Sequence, residues 1–306
     1  MTDRAMTTSI RKRDGRQWLR VFLGGLALWV ASVAVTFWTA NANLVPTVIL
    51  LGSFLVPVTF VVYAMERLAD ELLTTQRIFS AFLYGGALGV LGASVLEAEF
   101  LKQPSGLTYV WVGLIEEAVK LGALWLVALR LPRYTMRDGI VLGAAVGFGF
   151  AALESAGYAF NALFTMNGLS LLNVVETQVL RGVLTPVGHG LWTAILGGVL
   201  FRAAAGRGRL RITGAVVGWY LVVSLLHGLW DASRGIAVWL TLLLTATPVQ
   251  WMLIQLGRMP QPTGEQVQVF SFLSWGLLGL DALLGIVVLR GRWREATTLD
   301  TANRAA

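Results

Sequence analysis

Long apolar runs alternate with short polar segments along the whole chain. The runs fall at roughly 21–40, 44–65, 78–98, 107–129, 139–163, 179–201, 212–232, 236–256 and 268–289, and each has about the 20 residues that a helix needs to cross a bilayer. The pattern predicts an all-α protein, a polytopic membrane helix bundle with eight or nine transmembrane helices over residues 21–289. A basic tail, 1–20, with Arg11, Lys12, Arg13, Arg16 and Arg20 precedes the bundle, and a polar C-terminal tail, 290–306, comes after it. The count turns on 236–256, which contains Pro248. As a span of its own it makes nine, which its length and lack of charge favour; as a re-entrant or interfacial segment it makes eight. Ala40-Asn41-Ala42 resembles a signal-peptide cleavage site. The apolar run before it is long for a signal peptide, so it is read as an uncleaved anchor.

Composition agrees with a membrane protein. Hydrophobic residues make up 56% of the chain and charged ones 13%, against about 25% charged in a soluble domain. The net charge of +7 does not call for a nucleic acid, because Arg and Lys concentrate between the apolar runs, and none is expected as a partner. With the N-terminus inside, Arg130, Arg133 and Arg137, and then Arg202, Arg207, Arg209 and Arg211, also fall inside. The outer loops near 41–43 and 164–178 have no Lys or Arg. That asymmetry is the positive-inside rule, and it predicts a multi-pass protein of the cell membrane with a cytoplasmic N-terminus and the lipid bilayer as its surroundings. The lack of cysteine excludes disulfides, thiolate ligands and a Cys nucleophile.

Candidate chemistry lies where charge is least welcome. Ionisable groups deep in a bilayer are costly unless paired, and mark functional sites by default. Here they fall on four consecutive spans: Glu116, Glu117 and Lys120 in 107–129, Glu154 in 139–163, His189 in 179–201, and His227 with Asp231 in 212–232. His189 and His227 are the only two histidines, each followed by Gly-Leu-Trp. Counted from the outer ends of their spans at 1.5 Å per residue, most of these groups share a level about 10–15 Å deep. Glu116 and Lys120 share a helix face. Phe150, Glu154 and Tyr158 share another; Arg181, Thr185, His189 and Thr193 form a stripe at steps of four, and Tyr220, Ser224, His227 and Asp231 one at steps of four, three and four. One polar stripe per helix predicts that the stripes face each other across a cavity. Taken singly, each has a plainer reading: a lone Glu or His as interhelical glue, Trp192 and Trp230 as packing residues. Asp281, midway along the last run, is left to pair with Lys120 or Arg181 or to serve structure alone. Their coincidence at one depth favours a single site. Lys120 adds weight, being one of three lysines against 21 arginines, which suggests a need for a compact ammonium.

No serine sits in the context of a nucleophile with a His-Asp pair, and no two spans carry an Asp dyad. What remains is activation of water by carboxylate and imidazole, with or without a metal. A proton- or ion-coupled transporter relay and a non-catalytic membrane scaffold are the competing classes. Inverted repeats would favour a transporter, and the sequence shows none around the two His-Gly-Leu-Trp copies.

Glu116-Glu117-Ala118-Val119-Lys120, Phe150-Ala151-Ala152-Leu153-Glu154, His189 and His227-Gly228-Leu229-Trp230-Asp231 resemble, in order and on successive spans, the motifs of the PrsW family of intramembrane proteases. The resemblance covers residues 107–232. The related CAAX-protease and bacteriocin-processing group has Arg for the Lys, His for the Glu of the second motif and Asn for the Asp, and the chain has the PrsW pattern at all three. The resemblance implies an intramembrane endopeptidase that cleaves a membrane-anchored protein, for instance an anti-sigma factor. By carry-over Glu116 or Glu117 is the general base, Glu116 preferred, and Lys120 is its charge partner. A divalent metal, zinc, is then expected on His189, His227 and Glu154, with Asp231 orienting His227. In the metal-free alternative a Glu activates water while His227 and Asp231 stabilise the oxyanion.

Overall fold

Glycine decides which helices form the centre. In the computed structural model, which describes residues 15–305 with side chains to Thr301, α5 (Met136–Leu163) packs against α7 (His189–Ala204). Gly139, Gly143 and Gly147, one per turn of α5, lie on the backbone carbonyls of Gly197, Thr193 and His189. A Cβ at any of the three would collide with main chain, so the two axes approach as only small residues allow. On its other side α5 meets α3 (Thr75–Phe100), where Gly85 and Gly86 abut the main chain of Val146 and Gly149. A second close pair is α4 (Thr108–Ala128) with α8 (Gly214–Thr245), through Gly113 against Ser224 and Gly228 against Tyr109.

The remaining helices surround this centre. They are α1 (Gln17–Thr39), α2 (Val45–Arg67), α6 (Leu171–Leu184), α9 (Pro248–Gln255) and α10 (Gly264–Ala305). A two-residue hairpin of β1 (Phe164–Thr165) and β2 (Gly168–Leu169) turns the chain from α5 into α6. The apolar stretch of α5 is 83% buried while that of α1 is only 6% buried, so α1 faces lipid and α5 faces protein. Gln178 of α6 fastens the outer layer, accepting from Trp29 Nε1 (2.9 Å) and donating to the carbonyls of Val48 and Ile49. Thr74, Thr135, Ser170, Thr213 and Thr247 each cap a helix start by accepting a backbone N–H, satisfying donors that lipid cannot. In the loop before α3, burial opposes the charge of Asp70. The N–H groups of Leu73 and Leu72 and the Arg137 guanidinium outweigh it and hold the carboxyl below the usual carboxylate range.

Two segments depart from the sequence pattern. The run at 236–256 is not a span of its own, because α8 continues unbroken through Ser233, Arg234 and Gly235 to Thr245 and the chain breaks only ahead of Pro248. The next helix, α9, has eight residues and reaches about 12 Å, too short to cross. The run at 179–201 lies within a longer, interrupted span, Leu171–Ala204. A 3₁₀ turn at Thr185–Val187 carrying Pro186 separates α6 from α7, since proline cannot continue an α-helical hydrogen-bond ladder.

Among the described residues, seven segments are long and apolar enough to cross a membrane. α4, 21 residues long, has the length as well, its apolar run interrupted by Glu116, Glu117 and Lys120. Counting it, there are eight spans, and an even number puts Arg290, Arg292 and Arg294 on the side of the N-terminal segment. α10 runs on through residues 290–305, its end tied to α7 and α8 by Arg202–Glu295 (3.4 Å) and by Arg292 over the Trp219 ring. Arg11, Lys12 and Arg13 lie outside the described residues.

Gly147→Val drives a branched side chain into the main chain at His189 and is expected to cost about 1–3 kcal/mol. Gly157→Ala, with open space around it, should leave stability unchanged or raise it by up to about 1 kcal/mol. Thermal unfolding in detergent checks both.

Candidate active site

α4 delivers three ionisable groups to one place because Glu116 and Glu117 precede Lys120 by four and three residues, the two spacings that meet on a helix. Lys120 is fully buried. Its Nζ lies 3.1 Å from Glu116 Oε2, 2.8 Å from Glu117 Oε1 and 2.9 Å from His189 Nδ1, and 4.0 Å from the centre of the Phe150 ring. An ammonium has three N–H bonds and no acceptor, so all three are used. Nδ1 of His189 therefore accepts, and Nε2–H is left to donate to Glu154 Oε2 at 2.9 Å.

Arg181 pairs with the same Glu154 oxygen, Oε2, donates to Ser155 Oγ at 2.8 Å and lies over the Tyr158 ring. His189 is the first residue of α7, so the expected stripe from Arg181 to Thr193 is not one helix face. The break at Pro186 instead lets Arg181 and His189 approach Glu154 from two short helices.

From α8, His227 turns Nδ1 to Glu117 Oε1 at 3.1 Å. Its Nε2 is 3.5 Å from both Glu116 Oε2 and Asp231 Oδ2, and this buried atom makes no hydrogen bond within the described residues. Trp192 stacks on the His227 ring at 4.7 Å, and the two imidazoles are 4.9 Å apart. Thr193 donates to Glu117 Oε2 at 3.4 Å. Glu116, His189 and His227 each offer an atom within 4.8 Å of the others. Glu154 touches only the far nitrogen of His189.

All seven sequence-predicted residues thus meet at one centre: Glu116, Glu117, Lys120, Glu154, His189, His227 and Asp231. Asp281 pairs with neither Lys120 nor Arg181; its carboxylate has no hydrogen-bond partner among the described residues. Two neighbours have surroundings that the sequence does not state. Arg181 was visible as a charge in a span, but only the helix break shows that it holds Glu154. Glu97, near the end of α3, has a buried Oε1 with no hydrogen-bond partner among the described residues. In sequence it falls at the polar end of the run 78–98, beside the exposed Glu99–Lys102 pair. A cavity of about 810 Å³ lined by Tyr158, Asn161, Thr177, Arg181, Asp231 and Ser274 opens onto the site between α6 and α10.

A polytopic helical membrane protein with carboxylates, imidazoles and an ammonium gathered inside its bundle is the class that fold and site define. The chain belongs to the PrsW family of intramembrane metalloproteases, whose pattern matches residues 18–256. Protease PrsW of Halalkalibacterium halodurans is 32% identical over 154 residues, which are 48% of this chain and 65% of that protein. The chain thus spans just under two thirds of the relative's length. No solved structure matches it.

Lys120→Met leaves two buried carboxylates without their cation, and the expected loss is about 3–5 kcal/mol. Lys120→Arg should recover only part of this, since a planar guanidinium cannot serve three converging acceptors in place of an ammonium. Adding Glu117→Gln to Lys120→Met should restore some stability. Unfolding of the three purified variants checks the set.

Proposed function

We propose that the protein is an intramembrane endopeptidase of the cell membrane, N-terminus cytoplasmic, which hydrolyses a peptide bond of a membrane-anchored protein such as an anti-sigma factor. The observation that carries this reading is the buried His227 Nε2, placed between Glu116 and Asp231 with Glu117 fixing the opposite ring nitrogen. A histidine held this way by a carboxylate presents its free nitrogen to a metal or a reacting oxygen.

The donor set fits a divalent cation. With their carboxylates ionised, Glu116, Glu117, Glu154 and Asp231 exceed the charge of Lys120 and Arg181 by two. Glu116, His189 and His227 would hold the ion, zinc by its liking for two imidazoles and a carboxylate; Glu116, which reaches both imidazoles, takes the place expected for Glu154. Such an ion supplies Lewis acidity, lowering the pKa of water and polarising the scissile carbonyl.

The chain's own residues do the rest. Glu117 and Lys120 keep His227 and His189 turned to the centre, and Arg181 steadies Glu154 behind His189. Glu117 is bound by Lys120, His227 and Thr193 and Glu154 by Arg181, which suits them to orienting roles. Asp231, with no Lys or Arg within ion-pair distance among the described residues and its side chain 26% exposed, would take the proton from water at Oδ2, in place of the general base expected at Glu116 or Glu117. Surrounding helices bury Glu116, Glu117, Lys120, His189 and His227, which strengthens the interactions among them.

One observation favours a second reading. His189 has both nitrogens engaged, by Lys120 and by Glu154, and must release one to bind metal. Without metal, Glu116 takes the proton from water while His227 and Asp231 stabilise the oxyanion.

Glu116→Gln, His189→Ala and His227→Ala should each abolish cleavage while the protein stays inserted. Membrane proteomes of null and Glu116→Gln cells should share one uncut single-span protein whose product in wild-type cells ends near the outer face. Near-normal proteolysis in both histidine variants, or a cut on the cytoplasmic side, contradicts the site as drawn.

Purified wild type should carry about one zinc per chain, lost with activity in chelator and regained on adding zinc. Full activity without stoichiometric metal selects the Glu116 mechanism.

A further inference from the structure

The family pattern ends at residue 256, yet α10 beyond it contributes the least expected buried group in the molecule. Asp281 is 1% exposed, and neither carboxylate oxygen has a hydrogen-bond partner among the described residues. An apolar side chain there would be cheaper by the whole cost of burying an unpaired carboxylate.

The packing register shows what Asp281 faces. Phe270 and Val267 of α10 share a pocket with Val238 and Leu242 of α8, and Gly285 lies against Leu191 near the start of α7. Running antiparallel to α8 between these points, α10 brings Asp281 to the level of His227.

Two turns away on the same face is Ser274. Its buried Oγ is also without a hydrogen-bond partner among the described residues, and it lines the 810 Å³ cavity that reaches Asp231. Polar atoms buried without protein partners are rare and are met by water when the space is polar. The cavity thus reaches Ser274 on α10 and Asp231 on α8, and Asp281 lies two turns beyond Ser274, at the level of His227.

Resting on the hydrolytic reading above, we propose that Ser274 and Asp281 form the water-binding wall of the site: water enters by the cavity, passes Ser274 and is held by Asp281 beside His227 and Asp231. Asp281 is a positioning residue in this scheme.

The chain has no cysteine, so single cysteines report access cleanly. In full-length protein in liposomes, Ser274→Cys should react with a permanently charged methanethiosulfonate at least about tenfold faster than Leu283→Cys on the lipid-exposed side of α10. Asp281→Leu should unfold no lower than wild type, yet lose about 10–100-fold in kcat with KM little changed. Asp281→Asn, able to bind water, should lose less. Equal labelling of the two cysteines, or wild-type kcat in Asp281→Leu, overturns the proposal. Labelling of Ser274→Cys without any proteolysis by wild type overturns the hydrolytic reading and Asp281's positioning role, and supports the aqueous wall alone.

Discussion

A single ammonium buried among helices sets the terms for the rest of this structure. Lys120 can stay charged inside the bundle only if every N–H meets an acceptor and negative charge lies close, because desolvation otherwise outweighs any Coulombic gain. Two acceptors come from its own helix. The third, His189 Nδ1, comes from α7, so α7 must approach α4, and it can do so only by lying on the glycine face of α5. The break at Pro186 answers the same requirement, since it frees His189 to begin a helix aimed at the ammonium. Gly113 and Gly228 bring α8 against α4 and set His227 beside Glu117.

That arrangement divides the polar groups by how fully they are bonded. Glu117 and Lys120 have their bonding capacity largely taken up within the protein and, with Glu154 Oε2 held by His189 and Arg181, act as a frame. Glu116, His227 Nε2 and Asp231 are left with capacity to spare, facing one another at 3.5 Å where the cavity arrives. Saturation on one side and free valence on the other is what a hydrolytic centre needs, since groups that react cannot also be fully occupied in holding the fold.

The span pattern and the depth of the polar groups were legible because both derive from one-dimensional rules, helix rise and the cost of charge in lipid. Most of the seven residues on four runs could be placed at one level by counting. What counting could not give was contact across helices. The role of Arg181 depends on a helix break whose angle proline signals but does not set. The buried Oε1 of Glu97 depends on how α3 packs on α4 and α5, which no periodicity states. Asp281 could be seen as anomalous, but its register against α8 is a matter of packing. The two His-Gly-Leu-Trp copies show the same limit: His189 begins a helix and His227 lies inside one, so identical words stand in unlike places. The runs 212–232 and 236–256 are parted by Ser233-Arg234-Gly235, which lies within α8, with Ser233 and Arg234 lining a cavity.

The central claim is that these converging groups activate water inside the bundle. Protein reconstituted in liposomes with a single-span membrane substrate, in water enriched in oxygen-18, tests it most directly by mass spectrometry of the product. The account predicts one heavy oxygen in the new C-terminal carboxylate with wild type and no product with Glu116→Gln. Product formed equally by Glu116→Gln, or a new terminus without the isotope, would contradict it.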